Sequence, residues 1–255
     1  MARVFITGST DGLGRAAALS LLNDGHEVVV HARSPERSAQ AADMTARGAV
    51  VVVGDLRSAD ETRGVAAQVN GIGRMDAVIH NAGVYNERSR APTPESHPTL
   101  VAVNTLAPFI LTALIARPRR LVFLSSGLHR GGEGPLDDMD WTRRPWNAAR
   151  AYAESKLHVV ALALTLARRW PETLCHAVDP GWARTRMGGA SAPVDVETGA
   201  RTQAWLAVSE DPAAKVTGRY WRHMREEQPA EQATDARFQD ELLTRLSEMT
   251  GLQRL

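Results

Sequence analysis

The sequence predicts an α/β protein built on a doubly wound, mostly seven-stranded parallel sheet with helices on both faces. Two observations lead to this fold class. Short β-branched runs alternate with longer helical patterns along the chain, and this alternation is what right-handed crossovers on a parallel sheet produce. The strand segments are apolar at consecutive positions, which indicates burial on both faces of the sheet. Together they predict a Rossmann-type arrangement.

The elements follow in order, each from its own local pattern. Continuous apolar runs predict strands at 3–7, 27–31, 49–53, 76–80, 120–125 and 173–178, and a shorter run predicts a seventh strand at 218–221. Longer helical patterns between them predict helices at 12–23, 35–47, 58–69, 98–115 and 148–170. Two long loops, 127–147 and 186–196, each follow a strand. We therefore expect both at the carboxyl ends of the strands, where such sheets bind ligands.

Composition limits the possible classes of function. No composition break or low-complexity linker divides the 255 residues, so we expect one domain over residues 1–255. The net charge of +1 does not favour nucleic acid or an anionic membrane as a partner. Cys175 is the only cysteine, so an intrachain disulfide is excluded, as is usual in reducing compartments. We also expect no signal peptide, no membrane span and a cytosolic location.

A glycine-rich turn follows the first predicted strand and opens the first helix. Its glycines allow a tight turn and let backbone N–H groups approach a pyrophosphate, while the helix N-terminus adds its positive dipole end. The spacing is G-x-x-x-G-x-G instead of the G-x-G-x-x-G fingerprint, and the alternative is a turn with only a structural role. From its place in the chain we predict a dinucleotide site at Thr7, Gly8, Ser9, Thr10, Gly12, Leu13 and Gly14.

The end of the second predicted strand indicates which dinucleotide binds. NAD-dependent enzymes usually carry an acid there for the ribose hydroxyls, whereas this strand ends His31-Ala32-Arg33. Arg33 can pair with a 2′-phosphate because a guanidinium fork suits phosphate oxygens; the alternative is a solvated arginine. We therefore predict NADP(H) as the cofactor, and NAD(H) as the weaker ligand. Asp55 and Leu56 are candidates for the adenine edge, and Asp55 is equally a candidate N-cap.

Tyr152 and Lys156 are four residues apart in the last predicted helix, so they share one face. A lysine ammonium near a phenol favours the phenolate and lowers its pKa of about 10 toward the working pH. Such a tyrosine is a competent proton donor to a developing alkoxide. The pair alone is weak evidence, since chance pairs on helices are common. It gains meaning from Ser125-Ser126 at the end of the fifth strand and from Asn104 in the preceding helix.

Taken in order, these motifs resemble the short-chain dehydrogenase/reductase superfamily over about residues 3–187. The long gap before Tyr152, which comes 26 positions after Ser126, is about twice the family's usual spacing. It looks like the retinol-dehydrogenase-like branch and its bacterial ketoreductase relatives, and it leaves the choice between Ser125 and Ser126 open. The segments that carry the resemblance are the glycine turn, Asn81-Ala82-Gly83, Val103-Asn104, Ser125-Ser126, Tyr152-Ala153-Glu154-Ser155-Lys156 and Pro180-Gly181-Trp182-Ala183-Arg184-Thr185.

The resemblance implies a catalytic tetrad and a set of cofactor contacts. Ser126 would hydrogen-bond the substrate oxygen, and Tyr152 would donate or accept the proton. Lys156 would hold the nicotinamide ribose and lower the pKa of the tyrosine, and Asn104 would support a water that links Lys156 to solvent. Thr185 would touch the nicotinamide amide. The implied cofactor contacts are Asn81, Ala82, Gly83, Tyr152, Lys156, Pro180, Gly181 and Thr185.

The remaining polar residues favour no second chemistry. The eight histidines show no His-x-x-x-His spacing and no paired cysteines, so we expect no metal site. We interpret His80 as a packed strand-end residue and 137–140 as a polar loop with an N-cap. His129 is interpreted as a solvated loop residue or one that reaches the active site. Ser126 and His129 lack the nucleophile elbow of a hydrolase.

The sequence therefore predicts an NADP(H)-dependent carbonyl reductase or alcohol dehydrogenase, as a monomer or homo-oligomer. Two alternatives stay open: an epimerase or dehydratase on the same fold, and a non-catalytic NADP(H) sensor or interaction protein. We expect a medium-sized apolar substrate, because aromatic and thioether side chains make an adaptable wall for a substrate pocket. The alternative is that these side chains merely anchor the long loops to the sheet. They are Leu128, Met139, Trp141, Trp146, Trp182 and Met187. The small residues 188–194 form a candidate lid over the cofactor.

Overall fold

The computed structural model describes residues 1–85, 87–133, 135–253 and 255. Within them the chain forms a sheet of eight strands with helices on both faces, which confirms the predicted Rossmann-type α/β fold. The strands are β1 (Arg3–Ile6), β2 (Glu27–Ala32), β3 (Val50–Val53), β4 (Ala77–His80), β5 (Arg120–Leu124), β6 (Leu174–Asp179), β7 (Arg219–Arg222) and β8 (Arg225–Glu227).

The strands lie in the order β3-β2-β1-β4-β5-β6-β7-β8. β1 to β7 are parallel, whereas β8 pairs antiparallel with β7 and was not predicted. A tight turn through His223 and Met224, both at positive φ (46° and 64°), returns the chain onto β7. The strand order reverses between β1 and β4, so the ligand crevice of this fold is expected at the carboxyl ends of these strands.

The helices fill both faces of the sheet. They are α1 (Gly12–Asn23), α2 (Pro35–Ser38), α3 (Ala42–Thr45), α4 (Ala59–Ile72), α5 (Thr99–Val101), α6 (Ala107–Leu114), α7 (Ala148–Arg169), α8 (Val196–Val208), α9 (Glu231–Thr234) and α10 (Ala236–Thr250). Short 3₁₀ turns lie at Ala39–Ala41, Gly127–Gly131, Leu136–Asp138 and Pro212–Lys215, and a π-helical turn spans Ala102–Leu106. α1 has the predicted bounds, and α7 ends one residue earlier than predicted.

Two predicted helices are interrupted. The helix predicted at 35–47 is divided into α2, a 3₁₀ turn and α3, in which only Ala41 and Met44 are buried. Little tertiary packing therefore supports a longer helix there. The helix predicted at 98–115 contains the π-helical turn just before Pro108. A proline has no N–H to donate, and its ring clashes with the carbonyl four residues earlier, here that of Asn104; a widened turn relieves both conflicts.

Apolar side chains pack on both faces of the sheet. One cluster includes Phe5 and Phe123 with residues of α4, α6, α7 and α10, and the other includes Ile6 and Val30 with residues of α1 and α8. α7 is buried at nearly every position from Ala151 to Leu166, so its side chains are held rigidly. Among the helices of the described residues, none is both long enough and apolar enough to cross a bilayer.

Candidate active site

The turn between β1 and α1 has the close contacts of a phosphate-binding loop. Gly8 and Gly12 have φ of 63° and 54°, a region that residues with a Cβ rarely adopt. A Cβ at Gly14 would lie 2.4 Å from Nδ2 of Asn81 and 2.5 Å from the carbonyl oxygen of Gly8. Gly8, Gly12 and Leu13 line one cleft at the N-terminus of α1. The turn therefore fits the pyrophosphate of a dinucleotide.

Thr7 and Ser9, two of the predicted cofactor residues, do not line the cleft. Their side chains support the turn from inside the protein. Both are buried. The hydroxyl of Thr7 accepts hydrogen bonds from the backbone N–H groups of Asn81 and Ala82, each at 2.9 Å. The hydroxyl of Ser9 accepts from the N–H of His31 at 2.8 Å. These contacts fix the turn to the ends of β2 and β4.

His31, a residue without a predicted role, positions the same turn. Its Nδ1 accepts a hydrogen bond from the N–H of Gly8 at 3.0 Å, and its Nε2 lies 2.8 Å from the carbonyl oxygen of Gly54. This pairing fits a neutral ring that carries its proton on Nε2. Burial lowers the pKa of His31, so the neutral form is favoured. Its signal in the sequence is its place at the end of β2.

A charged corner of the cleft lies between the end of β2 and the loop after β3. Arg33, Arg37, Asp55 and Arg57 all line it. Asp55 forms an ion pair with Arg57 at 2.6 Å. Burial acts to raise the pKa of Asp55, but hydrogen bonds and charge from Arg57, with the charge of Arg33, hold it below its usual value. The N-cap of α4 is Ser58, so the alternative interpretation of Asp55 as this N-cap is wrong.

Tyr152 and Lys156 lie side by side on α7 and are buried, with 8% and 4% of their surface exposed. The Nζ of Lys156 donates a hydrogen bond to the carbonyl oxygen of Leu124 at 2.9 Å and lies 5.6 Å from the centre of the Tyr152 ring. The ring of Tyr85 packs edge-on against Tyr152, with 4.6 Å between ring centres. The two predicted residues are thus close together in a largely desolvated place.

Burial shifts the pKa of both side chains of this pair. Burial raises the pKa of Tyr152 to about 12, and the charge of Asp179 acts in the same direction, whereas a hydrogen bond with Ser126 lowers it. Burial lowers the pKa of Lys156 to about 8. In this structure the pKa of Tyr152 is thus raised, whereas we expected Lys156 to lower it toward the working pH; the effect of Lys156 beside a bound cofactor stays a prediction. The ammonium is hydrogen-bonded to the carbonyl oxygen of Leu124, and burial disfavours the charged phenolate.

The two serines at the end of β5 have different surroundings. The hydroxyl of Ser125 donates a hydrogen bond to the carbonyl oxygen of Lys156 at 2.9 Å, so it ties β5 to α7. Ser126 is less buried, and its hydroxyl accepts a hydrogen bond from the N–H of Leu128 at 3.3 Å. Its side chain is also close enough to Tyr152 to lower the pKa of the phenol. The hydroxyl that lies beside the tyrosine is therefore that of Ser126.

Asn104 lies in the π-helical turn and connects the loop after β4 to α7. Its Oδ1 accepts from the N–H of Val84 at 2.8 Å, and its Nδ2 donates to the carbonyl oxygen of Val84 and to Oγ of Ser155, each at 3.0 Å. A Cβ at Gly83 would lie 3.4 Å from both Oδ1 of Asn104 and Nζ of Lys156. Asn104 therefore lies close to Lys156, with its amide used in positioning Val84.

His129 is neither solvated nor exposed. It is completely buried, its Nδ1 lies 2.7 Å from the carbonyl oxygen of Ser126, and its Nε2 accepts from the N–H of Ala230 at 2.9 Å. It thereby fixes the loop of Ser126 to the C-terminal region. His80 is packed as predicted, stacked on Phe123 at the end of β4.

One cleft of about 340 Å³ brings most of the predicted residues together. Those that line it are Gly8, Thr10, Gly12, Leu13, Arg33, Asp55, Leu56, Asn81, Ala82, Gly83, Tyr152, Lys156, Pro180 and Thr185. The predicted residues outside its lining are Thr7, Ser9, Gly14, Asn104, Ser126 and Gly181. The lining residues without a predicted cofactor role are Asp11, His31, Arg37, Arg57, Val84, Val103, Leu124, Ser125, Arg186 and Met187. Arg37 and Arg57 come shortly after Arg33 and Asp55 in the chain, and this spacing was the signal that could have identified them.

The inserted stretch before α7 is more deeply packed than predicted; its Gly134 lies outside the described residues. Met139 belongs to the main core and not to a substrate wall. The predicted polar loop is also wrong for Asp138, which is 3% exposed and forms an ion pair with Arg144 at 3.2 Å. Arg144 also pairs with Glu154 of α7 at 2.6 Å. A buried charge network thus attaches the insert to α7.

The other predicted wall residues divide into two groups. Trp141 and Trp146 pack with their ring centres 5.5 Å apart, and Trp141 belongs to the same apolar cluster as Tyr152. Leu128, Trp182 and Met187 are half-exposed, and Met187 lines the cleft. The candidate lid 188–194 is not among the lining residues; its Val194 pairs with the backbone of Ala183–Arg184.

Comparison with known proteins points to one family. A family model described as short chain dehydrogenase matches residues 2–128. An uncharacterized oxidoreductase of Emericella nidulans is 38% identical over 99% of this chain and 98% of its own length. A Streptomyces protein that carries the name of a daunorubicin C-13 ketoreductase is 35% identical over 87% of this chain and 83% of its own. Human retinol dehydrogenase 13 is 29% identical over 98% and 85%.

Solved structures agree with the fold. An uncharacterized protein from Mycobacterium paratuberculosis aligns with a TM-score of 0.86 and 25% identity, covering 100% of this chain and 95% of the other. The retinol dehydrogenase and ketoreductase among the relatives match the two branches that the long gap before Tyr152 predicted.

Proposed function

Since this chain belongs to the short-chain dehydrogenase/reductase family and is an oxidoreductase, we propose that it is an NADP(H)-dependent carbonyl reductase or alcohol dehydrogenase. The observation that carries the proposal is the buried Tyr152, with Ser126 beside it, in the cleft that also contains the glycine-rich turn. Hydride transfer needs a dinucleotide and a proton donor at one carbonyl, and this cleft offers a place for both.

The cofactor would supply or accept the hydride, and the chain would hold and orient it. The backbone of Leu13 at the N-terminus of α1 would bind the pyrophosphate, which Gly8 and Gly12 allow to approach the turn closely. Arg33, with Arg37 beside it, would bind the 2′-phosphate. Asp55 and Leu56 would lie beside the edge of the adenine ring. The residues proposed to contact the nicotinamide half are Asn81, Ala82, Gly83, Lys156, Pro180, Gly181 and Thr185.

Tyr152 would be the acid and base, with Ser126 holding the substrate oxygen. With a pKa raised to about 12, the phenol is protonated at neutral pH and can give its proton to the oxygen of a carbonyl as that oxygen gains charge. Alcohol oxidation needs the deprotonated phenolate, which the same burial disfavours. Reduction should therefore be favoured near neutral pH, and oxidation at higher pH. Asn104, Ser125 and His129 would act as positioning residues.

We propose a medium-sized apolar ketone or aldehyde as the substrate. Tyr85, which is 38% exposed, lies against Tyr152, and Met187 is exposed at the cleft. Aromatic and thioether groups of this kind favour an apolar ligand with few polar contacts. Two relatives are named for retinol and for daunorubicin, which are both far larger than acetone.

Turnover with NADPH and NADH over a panel of acetone-sized, aromatic and long-chain carbonyls tests the proposal. We expect NADPH oxidation whose kcat/KM rises with apolar substrate size. Tight NADPH binding without turnover on any carbonyl would favour the non-catalytic sensor. Conversion of a sugar nucleotide without net NADPH oxidation would favour an epimerase or dehydratase. A kcat/KM that does not rise with size would exclude the apolar substrate class.

A further inference from the structure

An ion pair joins two sides of the cofactor cleft. The Nη2 of Arg186 lies 3.2 Å from Oδ2 of Asp11, and both residues line the cleft. Asp11 belongs to the glycine-rich turn, and Arg186 belongs to the segment that follows β6. Their side chains are 51% and 70% exposed, so the pair itself adds little stability. Arg186 is therefore free to exchange Asp11 for a stronger anionic partner.

The backbone that carries Arg186 is fixed without this ion pair. Thr185 donates its N–H to the carbonyl oxygen of Ala183 and accepts at its own carbonyl from Gly189, each at 2.8 Å. Its hydroxyl accepts from the N–H of Gly188 at 3.0 Å. A Cβ at Gly12 would lie 3.3 Å from Cγ2 of Thr185. The segment is thus folded against the turn, and the guanidinium can move while its backbone stays in place.

Asp11 is an unusual neighbour for a bound phosphate. It is the N-cap of α1, and its Oδ1 accepts from the N–H of Gly12 at 2.8 Å. A carboxylate stabilises a helix N-terminus, but here it also places a negative charge where the proposed pyrophosphate would lie. Like charges repel, so a cation is needed beside it. Arg186 supplies that cation.

We propose that Arg186 is a cofactor-binding residue whose guanidinium leaves Asp11 and binds the pyrophosphate of the dinucleotide. The proposal rests on the proposed function, because it needs a dinucleotide in this cleft. A guanidinium binds phosphate oxygens through paired, charge-assisted hydrogen bonds, which are stronger than an exposed ion pair. In the free enzyme Asp11 keeps the guanidinium at the cleft.

The pyrophosphate is common to NADPH and NADH, which separates this role from that of Arg33. Arg186→Gln should weaken the binding of both dinucleotides by about tenfold, the change expected for one lost charge-assisted contact. The ratio of the two affinities should stay unchanged. Arg184→Gln is the matched control: Arg184 is exposed on the same segment but does not line the cleft, and its loss should leave both affinities unchanged. Calorimetric titration with NADPH and with NADH measures each value without any turnover.

A second variant decides how Arg186 acts. If it only neutralised Asp11, then Asp11→Asn combined with Arg186→Gln would restore wild-type affinity. The proposal predicts that at least about a fivefold loss remains in the double variant, and that Asp11→Asn alone binds both dinucleotides at least as tightly as the wild type. Asparagine keeps the N-cap oxygen, so the helix start is preserved.

Two results would overturn the role of Arg186 alone: wild-type affinity in Arg186→Gln, or full recovery in the double variant. If the wild type bound neither NADPH nor NADH, this role and the proposed function would both be overturned. The two failures are therefore distinguishable in the same titrations.

Discussion

The ammonium group of Lys156 donates a hydrogen bond to the carbonyl oxygen of Leu124 at 2.9 Å, inside a region almost without solvent. This contact ties α7 to the last residue of β5. A single neutral acceptor compensates only part of the cost of burying a cation. Burial therefore lowers the pKa of Lys156 to about 8, from its usual value of 10.5.

The first prediction concerns stability against pH. Below pH 8 the amine of Lys156 is protonated in both the native and the unfolded chain, and the native state bears the cost of the buried charge. Between pH 8 and about 10.5 the unfolded chain binds more protons at this site, so the free energy of unfolding gains a contribution that rises with pH. Relative to Lys156→Met, the wild type should gain up to roughly 1 kcal/mol per pH unit in this window.

Chemical denaturation of both proteins at several pH values measures this difference. Lys215→Met is the control, because Lys215 is the chain's other lysine and is exposed. It should leave the slope unchanged. Parallel curves for wild type and Lys156→Met between pH 8 and 10 would contradict the assignment of a lowered pKa.

The second prediction concerns cofactor preference. Arg33→Ala removes the proposed partner of the 2′-phosphate, so NADPH affinity should fall by roughly ten- to a hundredfold while NADH affinity stays nearly constant. Fluorescence titration with each dinucleotide measures both. Arg47→Ala is the control, since Arg47 is exposed and bonded to Asn23. Equal wild-type affinities for NADPH and NADH would rule out the assigned role of Arg33.

The third prediction concerns the charge network between the insert and α7. Glu154→Gln leaves Arg144 with one buried carboxylate partner, Asp138, and should lower the free energy of unfolding by about 3 kcal/mol. Arg144→Gln removes the shared cation of two buried carboxylates, leaving Asp138 only its 4.0 Å pair with Arg143, and should cost more. Glu241→Gln, which breaks an exposed ion pair with Arg237, should change stability by about 0.5 kcal/mol or less. Denaturant titration gives the free energy of unfolding of each variant and so the order of their effects. Equal small losses of stability in all three variants would be incompatible with the network.

Local patterns predicted β1 to β7 and the segments of α1 to α7. α10 was missed, although its buried Phe238, Leu242 and Leu246 recur four residues apart. α1 was predicted to the residue, and β1 to β7 to within about one residue at each end. α8 was missed because its signal is not local. It contains Gly199, which weakens helix propensity, yet a Cβ there would lie 2.8 Å from Cδ2 of Leu13. The close packing of α8 on α1 requires that glycine, and packing of this kind cannot be read from one segment.

In the candidate site too, some residues could be predicted from local sequence and others could not. The glycine-rich turn, Tyr152 and Lys156 are recognisable because their residue types stand at fixed short spacings. The role of His129 was not predictable, since its partner Ala230 is 101 positions away. The pKa of Tyr152 is raised because surrounding elements bury its side chain. The spacing of Tyr152 and Lys156 carries no information about that burial.

Tyr152 is proposed to transfer the proton during NADPH-dependent carbonyl reduction, and Tyr152→Phe removes that proton donor. The variant keeps the ring against Tyr85 and loses only the hydroxyl. Measured on the best carbonyl substrate of the panel, kcat should fall by ~10²–10⁴-fold while the Kd for NADPH stays within about twofold of wild type. Tyr220→Phe, at a buried tyrosine that does not line the cleft, should keep wild-type kcat. Turnover by Tyr152→Phe close to that of the wild type would contradict the claim.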